Sequence, residues 1–146
     1  MSKATALFFA ILAGICMGSQ PAINGFLGKE LTTKVAVLIS LLISIVIMLV
    51  INLFSFDMEN YKKVLQVPLF YVLAGGILGA VIIYYAARVV PILGSTVAIS
   101  VFIVVQLIVS VLIDHFGLFG IAQSLITTQK LVGIVLLLSG LSFIVR

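Results

Sequence analysis

A chain of 146 residues, 64% of them hydrophobic and only 8% charged, has too few polar side chains to cover a water-soluble fold, which ordinarily is about half apolar and about a quarter charged. That composition excludes a water-soluble domain and points to a bilayer, where lipid tails accept apolar side chains on the outside of a helix bundle. The net charge of +4 sits at the ends of the apolar runs, so it reflects anchoring at both membrane faces and gives no sign of nucleic-acid binding.

The charges divide the chain into five apolar runs, predicting transmembrane helices at about 4–27, 35–56, 66–87, 92–114 and 128–145. A helix needs about 20 residues to cross a hydrocarbon core roughly 30 Å thick. Every span must be helical, because lipid offers no partner to backbone N–H and C=O groups. The fifth run is the shortest and reaches spanning length only by taking in Thr128 and Gln129. The links at 28–34, 57–63, 88–91 and 114–130 could not house a soluble domain, and no internal repeat is evident. The expectation is a single domain, 1–146: an all-α integral membrane protein built as a bundle of five transmembrane helices.

In the first span, Lys3 ahead of an apolar run imitates a signal peptide, but the run is longer than a signal core and lacks a small-residue cleavage pattern. Leu12-Ala13-Gly14-Ile15-Cys16 nearly spells a lipoprotein site, with bulky Ile15 out of place. Cys16 is the single cysteine, which rules out an intrachain disulfide and leaves it as a small apolar filler. Further on stands Gln20-Pro21-Ala22-Ile23-Asn24-Gly25. Gln20 and Asn24, four apart, share a helix face. Pro21 lacks an N–H and disturbs the carbonyl of Met17, and Gly25 loosens the helix again. Transporters bind substrate at broken or kinked helices of this kind. Gln20 and Asn24 are therefore candidate substrate ligands, with Pro21 and Gly25 as the hinge. The competing reading is a structural kink whose amides bond neighbouring helices.

The second span carries Ser40, Ser44 and Asn52 at multiples of four, with Met48 between, a stripe read as packing because serines satisfy themselves on their own helix. In the third, Gly75-Gly76-x-x-Gly79-Ala80 is a close-packing motif, as are Gly14-x-x-x-Gly18 in the first span and Gly133 with Gly140 in the fifth. Tyr84 is a candidate substrate contact. Arg88, one turn on, is a candidate for ion coupling, set against an arginine that snorkels from a helix end at small cost. The fourth span has Ser95, Gln106 and Ser110 along one stripe, of which Ser95 and Gln106 are candidate substrate contacts. Asp114 and His115 close that span. They could pass protons, since imidazole titrates near neutral pH; the plainer reading is a helix end facing headgroups.

With five spans the N-terminus shares a side with the second and fourth links. That side holds Lys3, Lys62, Lys63 and Lys130; the other holds Lys29, Lys34, Arg88 and Arg146. Orientation normally follows the cytoplasmic excess of Lys and Arg, and here the tally is tied. Either the chain inserts both ways up, or a partner decides. Two oppositely inserted copies would reproduce, as an antiparallel dual-topology dimer, the inverted repeat found inside many transporters. No carboxylate falls within the first three spans, and there is no glycine-rich phosphate loop, cysteine–histidine cluster or nucleophile–base pair. The expectation is no enzyme, no catalytic residue, no metal and no cofactor.

Several landmarks along nearly the whole chain resemble the YdcZ-like family of the drug/metabolite transporter superfamily. They are Gln20-Pro21-x-x-Asn24-Gly25, Gly75-Gly76-x-x-Gly79-Ala80, Gln106 followed by Ile113-Asp114-His115-Phe116-Gly117 with Gly120, and Lys130-x-x-Gly133. The resemblance implies a five-span, half-size unit in a prokaryotic inner membrane, working as an exporter. It carries no substrate with it. Family members occur as single chains, paired genes and fused ten-span chains, the pattern antiparallel assembly predicts. The related small multidrug resistance proteins rely on a glutamate in the first helix, where this chain has Gln20 and Asn24, so proton-coupled export of cationic drugs is not implied. The functional expectation is a small-solute transporter in the lipid bilayer, an antiparallel homodimer or a pair with a homologous chain, working by alternating access on an unidentified small molecule. A passive channel and a subunit of a larger membrane complex are the alternatives.

Overall fold

The computed structural model describes residues 2–54 and 58–145. The expected end of the second span at 55–56, the Asp57 opening the next link and the Arg146 of the charge tally lie outside the described residues. The regular elements are all helical: α1 (Lys3–Glu30), α2 (Thr33–Phe54), α3 (Met58–Lys63), α4 (Leu69–Leu93), α5 (Ser95–Phe116) and α6 (Thr128–Ile144), with 3-10 turns at Val64–Gln66 and Leu118–Gly120. Among the described residues four helices, α1, α2, α4 and α5, are long and apolar enough to cross a membrane, and α6 is a shorter apolar helix of 17 residues. The chain divides into two units, Met1–Ile92 and Leu93–Arg146.

In the first unit, Ser2 caps α1 by accepting the N–H of Thr5 at 3.1 Å, which satisfies one of the donors a helix start leaves open. The link expected at 28–34 shrinks to Leu31 and Thr32. Thr32 accepts the N–H of Val35 through its hydroxyl at 3.3 Å and that of Ala36 through its carbonyl at 3.0 Å. Gly28 makes the tight turn possible, since a Cβ there would stand 3.3 Å from the Thr33 Cα. So short a turn lays α2 back along α1, and the two helices pack together.

The third expected span shifts along the chain. It begins at Leu69 instead of 66, because Pro68 holds the residue before it out of the helical region: Val67 is extended, with φ −78° and ψ 136°. It also runs through 88–91, the expected link, to Leu93. Pro91 removes only its own N–H, leaving the Ala87 carbonyl without that donor, and the helix continues past it. The break falls at Gly94, whose φ of 80° is accessible to glycine at no steric cost.

In the second unit, α5 ends on Gly117, in the left-handed conformation at φ 61°, a common helix stop. Phe119 also adopts a positive φ, 59°, and Gly120 one of 75°. Thr127 caps α6 by accepting the N–H of Lys130 at 3.3 Å, and α6 packs against α5.

Small side chains are buried and bulky ones turn outward. The buried apolar residues are Ala36, Val37, Ala86, Ala87, Val90, Ala98 and Val104, whereas leucines, isoleucines and phenylalanines of every long helix are exposed. This is the packing expected where lipid is as apolar as leucine and helices associate by close backbone approach. Among the described residues, and each within its own unit, the glycines read as packing motifs do not supply that approach: a Cβ at Gly14, Gly18, Gly75, Gly76, Gly79, Gly133 or Gly140 would meet nothing within 4 Å. Gly25 does. A Cβ there would stand 2.8 Å from Cγ and 3.1 Å from Cδ of Pro91, and 3.4 Å from the Ala87 carbonyl oxygen. The proline ring cannot swing aside as a flexible chain could. The Gly25→Ala variant should therefore lose about 1–3 kcal/mol of stability through overpacking, read as a lower unfolding temperature in nanodiscs, while Gly14→Ala on the same helix should not.

Candidate solute site

Asn24 is the one buried polar residue among those described, 3% exposed. It sits on α1 beside Gly25 and one turn from buried Pro21. The Ser40 hydroxyl on α2 donates to its Oδ1 at 2.6 Å. Its Nδ2 is fully enclosed and has no hydrogen-bond partner among the described residues. The Leu31–Thr32 turn brings Asn24 and Ser40 together, because the two stand at matching distances on either side of it.

Magnitudes decide what this amide is for. A polar contact between membrane helices contributes on average about 0.6 kcal/mol. A buried donor left unpaired costs about 1–3 kcal/mol. As adhesive between α1 and α2, Asn24 is a net loss, so its burial calls for another reason.

The other candidates are distributed differently. Gln20 shares the α1 face but is exposed. Pro21 and Gly25 lie inside a continuous α1, both buried, and Gly25 makes the close contact with Pro91 described above. Tyr84, half-buried on α4, accepts a hydrogen bond at 3.3 Å from Nη1 of exposed Arg88. Ser95 is the half-buried first residue of α5 and Gln106 is exposed farther along it; both belong to the second unit. Cys16 is exposed on α1.

The stripe on α2 divides by role. Ser44 donates to the Ser40 carbonyl at 2.8 Å and Asn52 to the Met48 carbonyl at 2.7 Å, so both satisfy themselves on their own helix. Tyr61 of α3 donates to the Asn52 Oδ1 at 2.8 Å. An open groove of about 290 Å³ follows the stripe, lined by Ser44, Ile45, Met48, Leu49 and Asn52. It lies on α2 alone and does not include Asn24. Ser40, which leaves the stripe to bond Asn24, is the residue at this candidate site that the sequence reading took for packing; the shared distance from the turn was its signal.

Asp114 and His115 form a clasp at the end of α5. The Asp114 carbonyl accepts the N–H of Gly117 at 3.3 Å and of Ser124 at 2.9 Å. The His115 carbonyl accepts from Nε2 of Gln123 at 2.9 Å, and its Nδ1 accepts the Ile126 N–H at 3.4 Å. Lys130 closes the clasp from α6: Nζ donates to the Ser124 Oγ at 2.8 Å and to the carbonyls of Ser124 and Leu125 at 3.2 Å. A lysine counted only as an anchor thus ties the 117–127 connection to α6, as Asp114 and His115 tie it to α5.

A family model described as "Putative inner membrane exporter, YdcZ" matches residues 5–143. The chain belongs to this family. The match takes in all six helices apart from the first two residues of α1 and the last of α6, so the YdcZ family and the long apolar helices together make the chain a multi-pass protein of the inner membrane. The family is one of exporters, which is not an enzyme class. No curated protein and no solved structure matches the chain significantly.

Two outcomes follow. Ser40→Ala alone strands both ends of the buried amide and should cost about 1–3 kcal/mol, whereas Asn24→Ala with Ser40→Ala removes both partners and should be close to neutral; thermal unfolding in nanodiscs reads both. Lys130→Met should speed hydrogen exchange at the Ser124 amide by roughly 10- to 150-fold, since hydrogen bonds to a charged group contribute about 1.5–3 kcal/mol, with α5 and α6 still helical by circular dichroism.

Proposed function

We propose that the chain exports a small neutral or zwitterionic solute as an antiparallel homodimer working by alternating access. The observation that carries this reading is Asn24: an amide inside a membrane-spanning helix, 3% exposed, with its nitrogen unpaired. Polar groups inside membrane-spanning helices are costly to bury and often mark substrate pathways. Gln20, one turn away on the same face, is the second candidate ligand, and Pro21 and Gly25 are the points at which α1 bends between states. Tyr84 on α4 and Ser95 and Gln106 on α5 remain candidate contacts along the pathway; Arg88, Asp114 and His115 are candidates for coupling.

Two features support the antiparallel pair. The Lys and Arg tally across five spans is four against four, so neither orientation is favoured. An odd number of spans lets an inverted copy supply the second half of the transporter. The reading takes α6 as the fifth span; its 17 residues reach about 26 Å at 1.5 Å per residue, at the short end of what crosses a bilayer.

The test has two parts. In a Cys16→Ala background, Ser2→Cys and Thr32→Cys should each be labelled in roughly half the molecules by an impermeant maleimide on intact cells; complete labelling of one and none of the other would overturn the homodimer and favour a subunit oriented by a partner. In proteoliposomes, saturable uptake of a solute found by screening neutral and zwitterionic metabolites should fall about tenfold in Gln20→Ala and Asn24→Ala, each losing a hydrogen bond worth about 1–1.5 kcal/mol. Unchanged uptake in both would remove the site, and flux without saturation would replace the carrier with a channel.

A further inference from the structure

An amide has an accepting end and a donating end, and the environment of Asn24 uses them unequally. The Ser40 hydroxyl lies 2.6 Å from one of them. A hydroxyl can give or take a hydrogen bond, so the orientation of the amide depends on where the Ser40 proton goes. Other serines on these helices send theirs back along the helix: Ser19 to the Ile15 carbonyl, Ser44 to that of Ser40, Ser139 to that of Val135, each at 2.8 Å. Ser40 does not; among the described residues its hydroxyl bonds Asn24. The proton is directed at the amide, and the atom receiving it must be the oxygen.

What remains is a pair of N–H groups, enclosed and unpartnered among the described residues. Even the Ala87 carbonyl, deprived of its helical donor by Pro91 and close to the neighbouring Gly25, does not reach Nδ2. The site is therefore a donor without an acceptor. The sequence of the surrounding helices agrees in sign: no Asp or Glu occurs in 3–29, in α2 or in α4. A cation brought to Asn24 would face the positive ends of two N–H dipoles; the one carboxylate on these helices, Glu30, is the last residue of α1, six positions on and exposed.

Resting on the reading of Asn24 as a solute ligand, we infer that this site takes its solute through a hydrogen-bond-accepting oxygen, a carbonyl, carboxylate or hydroxyl group, and rejects ammonium and quaternary ammonium cations. Ser40 is a positioning residue: it fixes which end of the amide is presented.

The chain has three asparagines, Asn24, Asn52 and Asn60, so labelling their side-chain amides with 15N gives three NH2 signals in nanodiscs, with that of Asn24 identified by its loss in Asn24→Ala. Benzamide, benzoate and benzyl alcohol present accepting oxygens; benzyltrimethylammonium presents a cation on the same ring. The oxygen probes should shift the Asn24 signal and leave Asn52 and Asn60 in place, and the cation should shift none. Asn24→Asp keeps the oxygen that Ser40 bonds and replaces the donor with a second oxygen. It should weaken binding of benzamide at least tenfold, followed by saturation-transfer NMR, and admit benzyltrimethylammonium. If that variant does not fold, Ser40→Ala frees the amide to turn and should likewise admit the cation. An Asn24 signal moved by the cation in the native chain, or by none of the oxygen probes, overturns the inference. If Asn24→Ala nevertheless abolishes export, the solute site survives and only its chemistry is wrong; if Asn24→Ala exports normally, the site itself falls.

Discussion

Between two helices in hydrocarbon there is no hydrophobic force to speak of. Lipid covers leucine as well as protein does, so association depends on how closely two backbones can come. The interior of this chain follows from that. Alanines and valines are buried where helices meet, and the large aliphatic and aromatic side chains remain outside. One close approach is glycine against proline, Gly25 on α1 and Pro91 on α4. Neither can yield much: one has no side chain to move, and the other's is locked into its own backbone.

The same medium makes an unpaired polar group expensive, which gives Asn24 its meaning. In water an idle amide finds a partner at once. Here the Ser40 bond holds one end and the other is enclosed without one. A group held at such a cost, next to a rigid helix contact, is the basis on which we propose a solute that brings its own acceptor. The α2 serine and asparagine farther along are different. They bond their own helix, the lowest-cost way to carry a hydroxyl or amide through lipid, and they ask for no ligand.

Toward the other end of the chain, polar chemistry is used to hold backbone in place. Between α5 and α6 the connection has left-handed residues at Gly117, Phe119 and Gly120, and part of its backbone is held by the flanking helices. The Asp114 carbonyl, the His115 imidazole and the Lys130 ammonium bond that backbone, and the His115 carbonyl holds the Gln123 side chain. The charge on Lys130 therefore has a local task in addition to any part in orientation.

By itself, the sequence determined the membrane setting, the helical class and roughly where the four long apolar helices and the shorter fifth lie, because those depend on composition and on run length, which are local. It also singled out the Gln20–Gly25 segment and marked the family. It could not place the ends of α4, where Pro91 looked like a stop and Gly94 was the stop, because a proline forbids one hydrogen bond while a positive φ redirects the chain. Nor could it tell Gln20 from Asn24, or Ser40 from Ser44. Each pair shares a residue type or a helix face, and only the folding of α2 back onto α1 decides which member is enclosed and which end of its amide is already occupied.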